Sequence, residues 1–281
     1  MQFRLKRMKI LLILFLFIFD SLFITVQAKN VFRWFDDDGK VHFSDRYRKG
    51  AKRLEIHPGQ AYLNVQYVYD GDTVLLSDKR KVRLLGINTP EVEGRNKVQE
   101  AGAEEAKNWL EQVLKFQRVR LESDTESKDK YGRTLAYLIT EQDLHINLEL
   151  VRLGLATLNI HPPNLKYLDD FQNAQNQAES MRLGIWGLLE YQPLKADQIG
   201  KKNYKGWRRV VGKASAIRKS RKYVYLEVNK RFNARIAKKN LIYFPEMKSY
   251  LHKKIEFRGW MNRNKDKFSM LIRHPSALKS Y

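Results

Sequence analysis

The sequence predicts a mainly β chain with helices (α+β), on three observations. Short apolar runs at residues 62–69, 73–76, 82–87, 119–122 and 134–140 are bounded by Gly, Asp and Lys clusters, the pattern of strands between turns. Residues 100–115, 146–155 and 167–183 instead place their apolar side chains at helical spacing. Finally, residues 210–217, 223–228, 232–237, 255–260 and 268–273 read as five more strands, with a short helical insert at 245–251 between the third and fourth. Five strands with a helix in that place is the OB layout, so a smaller OB-like barrel is expected at the C-terminal end.

Taken in order, the chain opens on Arg4, Lys6, Arg7 and Lys9, followed by the apolar run 10–18 and a small-residue site at Val26-Gln27-Ala28. That is the layout of a secretory signal peptide over residues 1–28, and Asp20 makes the run short for a membrane anchor. The expectation is export to the periplasm or the medium, with no stable membrane anchor after cleavage. Residues 31–45 alternate apolar and polar around Asp38-Gly39 and read as a β-hairpin, with Asp36 to Asp38 as its turn rather than a metal site. Residues 47–60 read as a polar linker.

The middle of the chain is organised around residues 70–91, DGDTVLLSDKRKVRLLGINTPE. Two antiparallel strands joined by 77–81 bring the start of the first beside the end of the second. Asp72 then lies near Asn88, Thr89 and Glu91, a set of oxygen ligands and a carboxylate base, with Arg83 in the second strand. Hard oxygen donors suit Ca²⁺, and a guanidinium suits a phosphate. Taken singly, Asp-Gly is a common turn and Thr-Pro-Glu a common helix opening; the ordered set is what carries weight. Downstream, Arg133 leaves the polar loop 123–132 where it can reach the mouth of the barrel, and Trp109 reads as a core residue of the first helix.

There is no cysteine, so disulfides and thiolate metal sites are excluded, and six scattered histidines form no HExxH pair. The net charge of +22 is uneven: residues 62–194 hold 16 Lys or Arg against 20 Asp or Glu, whereas residues 195–281 hold 25 against 5. Such a concentration calls for a polyanion as partner. Tyr223, Tyr225, Phe232, Trp260 and Phe268 are interleaved with these cations, either as a stacking surface for single strands or, for most of them, as the filling of a barrel.

DGDT at 70–73, Arg83 before an apolar strand end, NTPE at 88–91, KYGRTLAY at 130–137, NLELVRLGLA at 147–156 and Gly184-Ile185-Trp186 together resemble the staphylococcal nuclease (thermonuclease) family over about residues 62–191. The segment 31–45 resembles a small domain of unknown function found in exported Gram-negative proteins. The resemblance implies a five-stranded OB-type barrel with three helices, and a metal-dependent nuclease acting on DNA, or on DNA and RNA, with little sequence specificity. It implies Asp72, Asn88 and Thr89 as ligands of Ca²⁺, with Mg²⁺ or another divalent ion as alternatives. It further implies Glu91 as the group that positions or deprotonates water, Arg83 and Arg133 as phosphate clamps, and Lys130 and Tyr131 as contacts to a neighbouring phosphate. Two departures stand out: Asn88 replaces the family's usual aspartate, and Asn159-Ile160-His161 replaces its pocket tyrosines. A non-catalytic nucleic-acid-binding protein on the same barrel is the alternative that Asn88 leaves open. The expected layout is a signal peptide at 1–28, a hairpin region and linker at 29–61, a nuclease-like catalytic domain at 62–192, a linker at 193–207 and a basic OB-like domain at 208–281.

Overall fold

The structure, a computed structural model, describes residues 31–36, 38–54, 61–94 and 99–281. The expected signal segment, residues 55–60 of the first linker and residues 95–98 of the loop after Glu91 lie outside the described residues. The chain divides into two compact units, residues 1–60 and 61–281. No helix among the described residues is long and apolar enough to cross a membrane.

In the first unit, β1 (Val31–Phe35), β2 (Val41–Ser44) and β3 (Lys52–Leu54) form an antiparallel sheet in the order β2-β1-β3. Asp36 builds the turn: its Oδ1 accepts from the Asp38 and Lys40 backbone N–H at 3.2 and 2.8 Å. Its Oδ2 is hydrogen-bonded to His42 Nε2 at 2.6 Å.

The second unit begins with β4 (Leu63–Asp70), β5 (Thr73–Leu76), β6 (Lys81–Leu84), β7 (Ile87–Asn88), α1 (Ala103–Leu114), β8 (Arg118–Glu122) and β9 (Thr134–Thr140). It continues through α2 (Ile146–Arg152), β10 (Thr157–Leu158) and α3 (Leu168–Ser180). Five of these strands close a barrel in the order β4-β5-β6-β9-β8, with β6 and β9 parallel. Val74, Leu76, Val82, Leu110, Leu138 and Leu150 are fully buried at its centre, where α1 and α2 seal the interior.

The expected strand 82–87 is not continuous. Leu85 and Gly86 turn the chain out of the barrel, and β7 pairs instead with β10. Gly86 adopts a φ of 78°, and a Cβ there would stand 2.6 Å from the Phe171 ring, so both its backbone and its lack of side chain are required. Asn147, completely buried at the start of α2, holds this turn: its Nδ2 donates to the carbonyls of Leu85 (3.0 Å) and Ala136 (3.3 Å), and its Oδ1 accepts from Leu138 N–H (3.0 Å).

The remainder forms a second sheet from β11 (Leu194–Lys195), β12 (Trp207–Lys213), β13 (Ala216–Lys219), β14 (Tyr223–Glu227), β15 (Phe232–Ala237), β16 (Lys254–Asn264), β17 (Lys267–Ile272) and β18 (Leu278–Ser280). Its order is β11-β12-β16-β17-β15-β14-β13, with β18 on β16 and with β15 and β17 parallel. The expected run 210–217 is split between β12 and β13, which lie far apart in that order. The helical insert expected at 245–251 is a 3₁₀ turn, Met247–Tyr250, and a further 3₁₀ turn, Lys238–Tyr243, precedes it. Phe232 and Phe268 fill the core, whereas Tyr223 and Tyr225 lie outside it under the guanidiniums of Arg235 (5.7 Å) and Arg218 (3.7 Å).

Residues 193–207, expected as a linker, are packed. Strand β11 runs parallel to β12, Ala196 and Ile199 are buried, and Trp207 packs against Trp186 and Tyr191 with ring centroids 6.0 and 5.8 Å away. Beside this cluster, Arg209 and Arg258 lie between Glu179 of α3 and Glu256 of β16, all largely buried. The polar composition of the stretch hides these anchors, because Trp207 and Ile199 are isolated among lysines.

Candidate active site

Gly71 lets the β4–β5 turn approach the rest of the barrel: a Cβ there would lie 2.7 Å from Ala106 Cβ and from Thr89 Cγ2. That approach delivers Asp72 to Thr89, whose backbone N–H donates to Asp72 Oδ2 at 2.9 Å. The other carboxylate oxygen, Oδ1, accepts from Thr73 Oγ1 at 3.0 Å, and the Asp72 backbone N–H donates to Asp70 Oδ1 at 3.1 Å. Burial, with Asp70 adding to it, pushes the Asp72 carboxyl up to about 7 even though Arg83 Nη2 lies 2.8 Å from Oδ2.

Arg83 spans the corner. Its Nη1 donates to Leu84 O (2.8 Å), and its Nη2 donates to Ile87 O and Asn88 Oδ1 (both 3.0 Å). The break after Leu84 thus has a purpose, since it turns two backbone carbonyls toward one guanidinium. Asn88 Nδ2 donates in turn to Thr89 O at 2.7 Å, and the Asn88 carbonyl accepts from Thr157 Oγ1 at 3.2 Å.

Arg133 is set by a different device. Asp129 Oδ1 accepts from the backbone N–H of Tyr131 (2.9 Å) and Arg133 (3.0 Å), while Oδ2 accepts from Arg133 Nε (2.7 Å). Burial raises the Asp129 pKa, but the hydrogen bonds from Arg133 and Tyr131 outweigh it and hold the carboxyl below its ordinary range. Bound through Nε, Arg133 keeps its two terminal amino groups without a hydrogen-bonded partner among the described residues. Tyr131 is exposed on the same loop, with Lys130 Nζ 4.8 Å from its ring centroid.

One cleft of about 1120 Å³ is lined by Asp72, Arg83, Asn88, Glu91, Lys130, Tyr131 and Arg133. Thr89, with 2% of its surface exposed, lies behind it. The Glu91 backbone N–H donates to Glu100 Oε2 (3.0 Å) and its carbonyl accepts from Glu100 N–H (2.8 Å), fixing that residue at the rim. Sequence reasoning missed further lining residues: Asp70, Asn159, His161 and Arg273, which directly follows β17 of the second sheet. Asp70 was legible as part of DGD, and Asn159 and His161 as the substitutes for tyrosines; nothing local marked Arg273. His161 is exposed at the cleft, where the surrounding protein and the nearby guanidiniums of Arg273 and then Arg83 push its pKa down, and its Nε2 is hydrogen-bonded to Asn159 Oδ1 at 2.9 Å.

A hard divalent cation fits this corner in the kind of donor present. Asp72 is a buried carboxyl group whose Oδ2 shares the Arg83 Nη2 donor with Asn88 Oδ1, and Thr89 adjoins it through its backbone, so a carboxylate and neutral oxygens meet at one point. Among the described residues no three Asp, Glu or His side chains are placed to hold a metal ion together, so the donors at this corner are largely neutral.

Comparison with known proteins agrees with this geometry. The sequence model of the Staphylococcal nuclease homologue family matches residues 81–187, and that of a domain of unknown function, DUF4124, matches residues 21–63. The thermonuclease of Staphylococcus intermedius is 36% identical over 159 residues, covering 56% of this chain and 88% of its own length. That of Staphylococcus hyicus is 37% identical over 122 residues, covering 42% and 72% respectively. Endonuclease YncB of Bacillus subtilis is 32% identical over 127 residues, covering 43% and 60%. The closed barrel, the ordered residues in its cleft and these relatives together make the chain a member of the staphylococcal nuclease homologue family, a nuclease hydrolase of nucleic acid.

Proposed function

We propose that this chain is an exported, metal-dependent nuclease that cleaves phosphodiester bonds in DNA, or in DNA and RNA, with little sequence specificity. One observation carries the reading: Asp72, Arg83, Asn88, Glu91 and Arg133, far apart in sequence, line one cleft. Glu91 orients the attacking water and accepts its proton, a role of order 10²–10⁴-fold in rate. Arg83 and Arg133 receive the charge that grows on the phosphate; Arg133 is preset by Asp129, so little reorganisation precedes the reaction. Lys130 and Tyr131 take a neighbouring phosphate at the exposed rim. Asp72, Asn88 and Thr89 would hold Ca²⁺, or Mg²⁺ or another divalent ion in its place, which would supply Lewis acidity toward the phosphate. The charged lining suits backbone phosphates rather than base edges, which supports low specificity.

Export rests on the basic start, the apolar run 10–18 and the small residues at 26–28. Residues 208–281 are read as an OB-like, nucleic-acid-binding module. The support is a strand order, β12-β16-β17-β15-β14-β13, that repeats the antiparallel neighbours and the single parallel pair of the barrel, together with the excess of cations. Supercoiled plasmid incubated with the protein in Ca²⁺, Mg²⁺ or EDTA tests the central proposal. Degradation with a divalent ion and none with EDTA is expected; cleavage indifferent to EDTA refutes metal dependence.

A further inference from the structure

Behind the catalytic cleft lies a smaller cavity of about 330 Å³, between the barrel segment 158–160 and the second sheet, lined by Arg235, Arg258 and Arg273. Its three arginines are treated differently. Arg258 is neutralised by Glu256 (2.6 Å) and Glu179 (2.9 Å). Arg235 and Arg273 form no ion pair among the described residues. Among the described residues Arg235 Nε is buried without a hydrogen-bond partner, and its guanidinium lies 5.7 Å from the centroid of the Tyr223 ring. Arg235 lies on β15, level with Leu271 of the parallel strand β17, and Arg273 follows the last residue of β17, two positions beyond Leu271, so the two positive charges are near each other. Burial and the nearby Arg235 both hold the Arg273 pKa below its ordinary value. Two like charges half-buried side by side oppose folding unless something anionic joins them.

Arg273 also lines the catalytic cleft, in company with Arg83, His161 and Arg133. The cavity and the cleft share Asn159 and Arg273 in their linings, so a polymer lying in the cleft passes beside the cavity. A free small anion would need no such adjacency; a polymer does. Resting on the nuclease reading above, we infer that Arg235 and Arg273 form a phosphate subsite, contributed by the C-terminal part of the chain, for a nucleotide flanking the scissile bond. Two forked guanidiniums on one phosphodiester are a strong, charge-assisted pairing. The catalytic barrel is thus extended by a sheet that reaches into its cleft.

The test is a binding cycle in the full chain carrying Glu91→Gln, so that nothing is cut. A single-stranded oligonucleotide is made as a series in which one phosphate at a time is replaced by a neutral methylphosphonate. In the chain with both arginines, neutralising one flanking phosphate should weaken binding roughly tenfold or more. In Arg235→Gln/Arg273→Gln the same replacement should have no effect, and the dependence of log affinity on log salt should flatten by about 0.7, the value for one single-strand phosphate. Arg273→Lys should keep the slope and lose part of the affinity, which a collapsed fold would not do. Removing unpaired charges should leave the melting temperature level or higher. A methylphosphonate profile identical in the two chains, with equal salt slopes, overturns the subsite and leaves the nuclease reading standing. Oligonucleotide binding absent from every chain, with no cleavage by the wild type, overturns both.

Discussion

Replacing Glu256 by Gln should loosen the second sheet from the barrel, and the size of the effect follows from its surroundings. Glu256 is fully buried and accepts from Arg209 Nε (2.7 Å) and Nη2 (3.1 Å), from Arg258 Nε (2.6 Å) and from the Tyr281 hydroxyl (2.5 Å). Burial alone would raise its pKa; the two guanidiniums and the tyrosine overcome that and bring it from 4.5 to about 2. At 1.36 kcal/mol per unit this corresponds to about 3 kcal/mol of folding free energy near neutral pH, an order-of-magnitude figure. The folded-state pKa is depressed, so the contribution is complete above the unfolded value and is lost as pH falls from about 4.5 toward 2. Glu256→Gln leaves Arg209 and Arg258 sharing Glu179 alone, and breaking one side of a buried pair costs about 3–5 kcal/mol. Urea unfolding of the full chain and of Glu256→Gln at pH 7 and pH 3 measures this. The gap between them should narrow by about 2 kcal/mol at the lower pH. A gap below about 1 kcal/mol at pH 7, or one that does not change with pH, refutes the reasoning.

Three further outcomes are expected. Glu91→Gln should cut plasmid cleavage by about 10²-fold while oligonucleotide affinity is kept, and Arg133→Ala should lower the rate comparably; wild-type rates for both would remove them from the reaction. Asn88→Asp restores a charge beside Asp72, so calorimetric titration with Ca²⁺ should give a smaller Kd, and an unchanged Kd would take residue 88 out of the ligand set. Asn147→Ala strands Leu138 N–H and Leu85 O in the interior and should cost about 2–4 kcal/mol in urea unfolding; a loss under 1 kcal/mol would mean that water replaces the amide.

Much of the fold is legible because local rules dominate it. The DGDT turn, the helical periodicities and the run 134–140 are each specified by neighbours in sequence, and residues 134–140 form β9 without a shift. The departure at 82–87 has a local cause that apolar patterning cannot express. The run looks uniform, yet Gly86 at positive φ and the guanidinium of Arg83 divide it, and the division turns Ile87 O toward the site. The interleaved aromatics of the C-terminal part separate only when strands are paired: Phe232 and Phe268 sit directly opposite each other inside, and Tyr223 and Tyr225 face out. Arg273 could not be found from sequence at all. Its place at the cleft follows from how two sheets pack, and a count of positive charges gives the total without saying which ones lack a partner.

The packing of Trp207 against Trp186 and Tyr191, with the arginine–glutamate cluster beside it, changes how a basic extension can serve an enzyme. A module on a slack tether raises the local concentration of polymer gradually, over a range of separations set by the tether. A docked module offers one separation only. In the proposed reading, a strand long enough to lie across both surfaces gains all the contacts at once, without a further loss of freedom, and a shorter one gains none. Digestion by such an enzyme has a ruler built into it: the rate should fall in a single step when fragments become shorter than the span, and the fragment length at that step measures the distance between the two phosphate sites.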